Sequence, residues 1–195
     1  MPPGDYVLSA VATDNDGGAV VIELGDPTGT TWAEIVNTVI VGNRGFALKA
    51  IKGARVWVRN CVLADNGGDA VRANEFARVR VQSSILVRNA GAGIIRFDAT
   101  VCFYLQCNDV WANTVGNYVG TNPSDPCFPG RGSGDVSFDP CFQDWPAGNY
   151  HLLPDSPLCV LQQPGACGAL GAYDDPCSGP IHDCTTALAP RSWSA

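Results

Sequence analysis

Residues 55–66 read Arg55-Val56-Trp57-Val58-Arg59-Asn60-Cys61-Val62-Leu63-Ala64-Asp65-Asn66. The chain repeats the pattern 23 residues on, as Arg78-Val79-Arg80-Val81-Gln82-Ser83-Ser84-Ile85-Leu86-Val87-Arg88-Asn89. A third copy follows after 24, as Cys102-Phe103-Tyr104-Leu105-Gln106-Cys107-Asn108-Asp109-Val110-Trp111-Ala112-Asn113. Val56/Val58, Val79/Val81 and Phe103/Leu105 alternate with polar or aromatic residues, the period of a strand buried on one face. A repeat of this length built from short strands describes a solenoid. Each coil holds three strands, and each strand pairs in parallel with its equivalent in the next coil at about 4.8 Å.

Stacking turns every repeat position into a column. Asn43, Asn66, Asn89 and Asn113 form one such column, suited to a side-chain amide ladder that satisfies buried polar groups. Asparagine also tolerates the left-handed turn conformation, a second reason for its place there. On the remaining strand, Leu48-Lys49-Ala50-Ile51 aligns with Val71-Arg72-Ala73-Asn74 and then with Ile95-Arg96-Phe97-Asp98. That alignment puts the extra residue of the longer coil within Ala90-Gly91-Ala92-Gly93. Backward, Trp32-Ala33-Glu34-Ile35 falls under Arg55-Val56-Trp57-Val58, and Asn37 under Asn60. Gly17-Gly18 followed by Ala19-Val20-Val21-Ile22 suggests a further, less regular coil. No capping helix precedes it, so the first coil offers an open edge for self-association.

The repeat stops after Asn113. The expected organisation is β-helix coils over 1–115, a Cys/Pro-rich cap over 116–177 and a flexible tail over 178–195. Glycine (22) and proline (14) are plentiful and charged residues make up 16%, which argues for strands and tight turns rather than a helical bundle. No apolar run approaches a membrane span. Nine cysteines without any CxxC pair read as disulfides in an oxidising, extracellular setting, with one thiol left over. Met1-Pro2-Pro3-Gly4-Asp5 does not resemble a signal peptide.

Cys107-Asn108-Asp109-Val110-Trp111-Ala112-Asn113-Thr114 with Gly116-Asn117-Tyr118 resembles the last coil of bacterial secreted right-handed parallel β-helix repeat proteins, of the pectate-lyase-like superfold. Phe138-Asp139-Pro140-Cys141-Phe142, Gly148-Asn149-Tyr150-His151-Leu152, Asp155-Ser156-Pro157-Leu158 and Gly168-Ala169-Leu170-Gly171-Ala172-Tyr173 are similar to that family's C-terminal cap. The resemblance covers roughly residues 35–177. It implies an all-β, right-handed parallel β-helix with a disulfide-stapled cap, in an extracellular protein. Some relatives of that family act on polysaccharides as lyases or hydrolases.

Two columns are candidates for function. The alignment stacks Lys49, Arg72 and Arg96, with Asn74 and Asp98 two residues along; this is either a solvated, salt-bridged strip or a groove for an acidic glycan held by Arg forks. The other column holds Trp57, Arg80 and Tyr104 above Glu34, where cation–π stacking and sugar-ring contacts compete with plain cross-strand packing. Residues 44–96 contain 10 of the 12 Lys and Arg but 3 of the 19 Asp and Glu, which would steer an anionic partner to the middle coils. Overall acidity and the lack of a motif argue against nucleic acid. Arg72, Arg96 and Asp98 are the nearest approach to a lyase centre, and calcium would enter only under that reading. Asp109 reads as a capping or turn residue, and His151 and His182 as neither ligands nor bases. The expected function is therefore a non-catalytic carbohydrate-binding or surface/assembly module without cofactors. The alternative is a lyase or hydrolase acting on acidic glycans.

Overall fold

The computed structural model describes residues 6–8, 11–12, 15–23, 32–120, 127, 130–162 and 167–173. Three five-stranded parallel sheets wind into a β-solenoid. Sheet A holds β1 (Tyr6–Leu8), β4 (Ala33–Val36), β7 (Arg55–Arg59), β10 (Arg78–Gln82) and β13 (Cys102–Gln106). Sheet B holds β2 (Val11–Ala12), β5 (Val39–Val41), β8 (Val62–Ala64), β11 (Ile85–Val87) and β14 (Asp109–Trp111). Sheet C holds β3 (Gly18–Glu23), β6 (Phe46–Ile51), β9 (Val71–Ala73), β12 (Ala92–Arg96) and β15 (Gly116–Val119). The strands around Gly18 thus form the additional N-terminal coil, and its first strand lies under Ala33-Glu34-Ile35. The tail lies outside the described residues.

The inward columns form one apolar core: Val56/Val58, Val79/Val81 and Phe103 from sheet A, Ile40, Leu63, Leu86 and Val110 from sheet B, and Leu48, Val71 and Ile94 from sheet C. The corners need left-handed residues, and the chain supplies one at each of four successive levels. Asn37, Asn60, Ser83 and Cys107 have φ of 49°, 50°, 49° and 57° between sheets A and B. Gly42, Asp65, Arg88 and Ala112 do the same between sheets B and C. The ladder asparagines come one residue later, so their role is hydrogen bonding rather than tolerance of positive φ. Each passes its amide to the next. Nδ2 of Asn15, Asn43, Asn66, Asn89 and Asn113 donates to Oδ1 of Asn43, Asn66, Asn89, Asn113 and Asn117 at 2.7, 2.8, 2.9, 2.9 and 3.1 Å.

A second polar column runs beside the A–B corner: Thr38, Cys61, Ser84, Asn108 and Asp135. The Cys61 amide donates to Ser84 Oγ, the Ser84 amide to Asn108 Oδ1, and the Asn108 amide to Asp135 Oδ1. An acceptor-only carboxylate ends the series, and Asp135 Oδ2 also accepts from Gly132 N and Tyr118 OH. Cys61, the free cysteine among the described residues, sits inside this column. Burial pushes its thiol up to about 11, so it remains a thiol and packs as a small apolar residue.

The C-terminal segment does more than close the last coil. Ser133 and Val136 make single parallel bridges to Gln106 and Asp109, and the chain then doubles back along the outside of sheet B. The hairpin of β16 (Phe142–Asp144) and β17 (Asn149–Leu152), with Leu158 and Leu170, covers Val39, Val41, Val62, Ala64, Ile85 and Val87. A sheet covered on both faces loses its alternation, which explains the unbroken apolar runs Val62-Leu63-Ala64 and Ile85-Leu86-Val87. Arg88 fastens the strap. Its guanidinium pairs bidentately with Asp65 at 2.8 and 2.7 Å and lies over Trp145 at 4.4 Å and Phe142 at 5.4 Å. Tyr150 OH donates to Asp65 Oδ2 at 2.9 Å. Disulfides Cys102–Cys127 and Cys107–Cys167 tie this half to the last coil, and Cys141 and Cys159 are disulfide-bonded as well.

One corner departs from good turn chemistry. Lys52-Gly53 turns sheet C into sheet A with φ of 52° and 77°; one coil later Glu75-Phe76 occupies the same place with φ of 55° and 63°. A bulky side chain there costs about 1–2 kcal/mol, and Phe76 is 63% exposed, with little packing in return. Hydrogen bonds from the next coil hold the turn: Glu75 N donates to Asp98 Oδ2 and Phe76 N to Thr100 Oγ1. Phe76→Gly is expected to raise stability by about 1 kcal/mol, the relief of strain outweighing the added chain entropy. A higher urea midpoint at unchanged slope would show it; a lower midpoint would mean that Phe76 packs usefully.

Candidate functional site

The outer face of sheet A carries the densest chemistry. Its register sets three columns side by side. Arg55 pairs with Arg78 and then Cys102; Glu34 with Trp57, Arg80 and Tyr104; Val36 with Arg59, Gln82 and Gln106. The alternation that buries Val79 and Val81 forces Arg78, Arg80 and Gln82 outward, so the same pattern that builds the core builds this face. An open groove is lined by Trp57, Arg80, Gln82, Tyr104 and Gln106.

Arg80 is the centre of the face. Its guanidinium lies 4.9 Å from the Trp32 ring, 5.7 Å from Tyr104 and 5.9 Å from Trp57, within cation–π range of all three. Trp32 immediately precedes β4, so Arg80 leans back across the rungs. Arg59 lies 5.2 Å from Trp57 and pairs with Glu34 at 3.5 Å. Arg55, Arg78 and Arg80 have no carboxylate within 4.0 Å among the described residues. The Trp57 indole nitrogen is buried and makes no hydrogen bond. Tyr104 is 49% exposed.

The face on sheet C differs from the alignment of the sequence. Lys49 does pair with Arg72, but Arg72 pairs next with Ile95, and Arg96 pairs with Ala73. The extra residue therefore lies between Arg96 and Cys102, and not within Ala90–Gly93. A one-residue slip exchanges faces: Arg96 points inward, is 2% exposed, and donates through Nε to the Asp98 carbonyl at 2.8 Å. Arg72 is flanked by Phe97 at 4.5 Å and Phe46 at 5.6 Å, with Asp69 at 3.8 Å. Asn74 bonds to the side chain of Glu75. Asp98 belongs to the corner: burial opposes its ionisation, yet bonds from Thr100 and the Glu75 amide, with the Arg96 charge, hold its carboxyl below the ordinary range. The structure thus does not bring Lys49, Arg72, Arg96 and Asp98 together as one outward site.

Asp109 occupies the column of Val39, Val62 and Ile85, facing the strap. Its Oδ1 accepts from Phe138 N at 3.0 Å, while Oδ2 is buried without a partner. Burial pushes this carboxyl up to about 8; the Phe138 bond opposes that shift, and Asp139 and Asp135 add to it. His151 stacks on Tyr173 at 3.8 Å, and His182 lies outside the described residues. No group of three or more His, Cys, Asp or Glu is placed to hold a metal ion among the described residues. No helix there is long and apolar enough to cross a membrane.

Trp57, Arg80 and Tyr104 were legible as a column from the repeat. Arg55 and Arg78 stack two residues earlier on the same face, and the same alignment is the signal that points to them. Comparison with known proteins adds no match: no family model, curated protein or solved structure is similar to the chain at a significant level.

Proposed function

We propose that this protein is an extracellular carbohydrate-binding module whose ligand lies on the outer face of sheet A, with a preference for anionic glycans and without turnover. The observation that carries this reading is the set of Arg55, Arg78 and Arg80, without a carboxylate within 4.0 Å among the described residues, interleaved with Trp32, Trp57 and Tyr104. Aromatic faces stack on sugar rings, and guanidinium forks take anionic substituents. The disulfides and the likeness to secreted β-helix proteins support the extracellular setting. No cofactor enters the reading.

A glycan array combined with product analysis tests it. The wild type should bind acidic glycans in a salt-sensitive manner and leave them intact, and Arg80→Ala should weaken binding by tenfold or more. Equal binding by Arg80→Ala would move the site elsewhere. Release of unsaturated uronides from polyuronates would instead establish the lyase alternative.

A further inference from the structure

Resting on the reading of sheet A as an anionic-glycan face, we infer that Arg55, Arg78 and Arg80 form a subsite for a tetrahedral oxyanion ester, a sulfate or phosphate carried on the sugar. Arg55 and Arg78 are direct partners on neighbouring rungs, about 4.8 Å apart at the backbone. Arg80 lies two residues from Arg78 on the same face, and its guanidinium leans to within 4.9 Å of the Trp32 ring. Trp32 immediately precedes the strand under Arg55 and Arg78, so the lean carries the third guanidinium towards their column. Three arginines thus occupy two adjacent outward columns, none with a carboxylate within 4.0 Å among the described residues.

The number of donors decides the ligand class. A planar carboxylate has two oxygens and is satisfied by one guanidinium fork. Three guanidiniums, each with five N–H donors, exceed what a uronate can accept, and a carboxylate leaves much of their mutual repulsion uncompensated. A sulfate monoester presents three terminal oxygens in three directions, and a phosphate monoester presents three with up to two charges. Arginine at all three positions favours fork geometry over a diffuse lysine field. The rings pin Arg80 in place, which lowers the ordering cost of the triad.

Four polymers on one backbone separate the possibilities: dextran sulfate, dextran phosphate, carboxymethyl dextran and neutral dextran, matched in substitution and titrated at physiological salt. The subsite predicts that the sulfate or phosphate polymer binds at least tenfold more tightly than carboxymethyl dextran, and the first two arms say which ester is preferred. Arg78→Lys keeps the charge and loses the fork, so it should reduce that preference to about twofold. Arg44→Ala, removing an exposed cation on another side of the coil, should leave the preference unchanged. Equal affinity for all three anionic polymers, or an unchanged preference in Arg78→Lys, overturns the subsite while the anionic-glycan reading stands. Failure of every polymer to bind overturns both.

Discussion

Asn66→Ala should cost about 3–5 kcal/mol of folding stability, a large share of the 5–15 kcal/mol typical of a domain. The Asn66 side chain donates to Asn89 Oδ1 at 2.9 Å, to the Ala64 carbonyl at 3.0 Å and to the Ile40 carbonyl at 3.1 Å. Its Oδ1 accepts from both nitrogens of Asn43, at 3.1 and 2.8 Å. Alanine removes every one of these bonds at a position that is 1% exposed, and each buried group left unsatisfied costs about 1–3 kcal/mol. Asn15→Ala provides the contrast. It removes the same residue type from the start of the ladder, where Asn15 is exposed and water replaces the amide; the loss should stay below about 1 kcal/mol. Equilibrium unfolding of both variants measures the difference. Equal losses would mean that the ladder contributes nothing beyond local turn formation.

The second large effect is a pH dependence set by Asp109. With its folded carboxyl at about 8, against an ordinary value near 3.8, the native state holds a proton that the unfolded chain releases. Stability therefore falls as pH rises from about 4 towards 8 and is lowest above that window. Asp109→Asn keeps an acceptor for the Phe138 amide and removes the titration. The variant should match the wild type near pH 4, exceed it increasingly up to about pH 8 and keep a constant lead above that. One pKa unit corresponds to about 1.4 kcal/mol, so the full window amounts to about 6 kcal/mol. Because Asp109 lies under the strap, dye binding to the apolar face of sheet B should report the same midpoint. Stability curves of the two proteins that run parallel from pH 4 to 9 would rule this assignment out.

Registration across coils explains how much of the molecule could be read in advance. On sheet A the alternation Arg78-Val79-Arg80-Val81-Gln82 permits one register, because a slip would bury arginines and expose valines. On sheet C both Ile94 and Ile95 are apolar, so a slip by one residue leaves an isoleucine facing inward either way. The run Ala90-Gly91-Ala92-Gly93 looks like slack, yet the added residue sits in the next corner, where Asp98 and Thr100 hold the turn of the preceding coil. That ambiguity is why the alignment places Arg96 outside with Lys49 and Arg72. The second polar column was also hidden, because Thr38, Cys61, Ser84, Asn108 and Asp135 share a position without sharing a residue type.

The amino-acid sequence alone determined the solenoid, its 23- to 24-residue coil, the asparagine column and the outward row of Trp57, Arg80 and Tyr104. These follow from local periodicity, which the middle coils repeat. Only the tertiary structure decided where the C-terminal segment goes, which carboxyl it buries, and that Arg55 and Arg78 have no acidic partner among the described residues. Those features depend on contacts between segments with no common repeat, such as Tyr150 with Asp65, 85 residues apart. No period along the chain encodes such a contact; it is set by which apolar face remains to be covered once the coils have stacked.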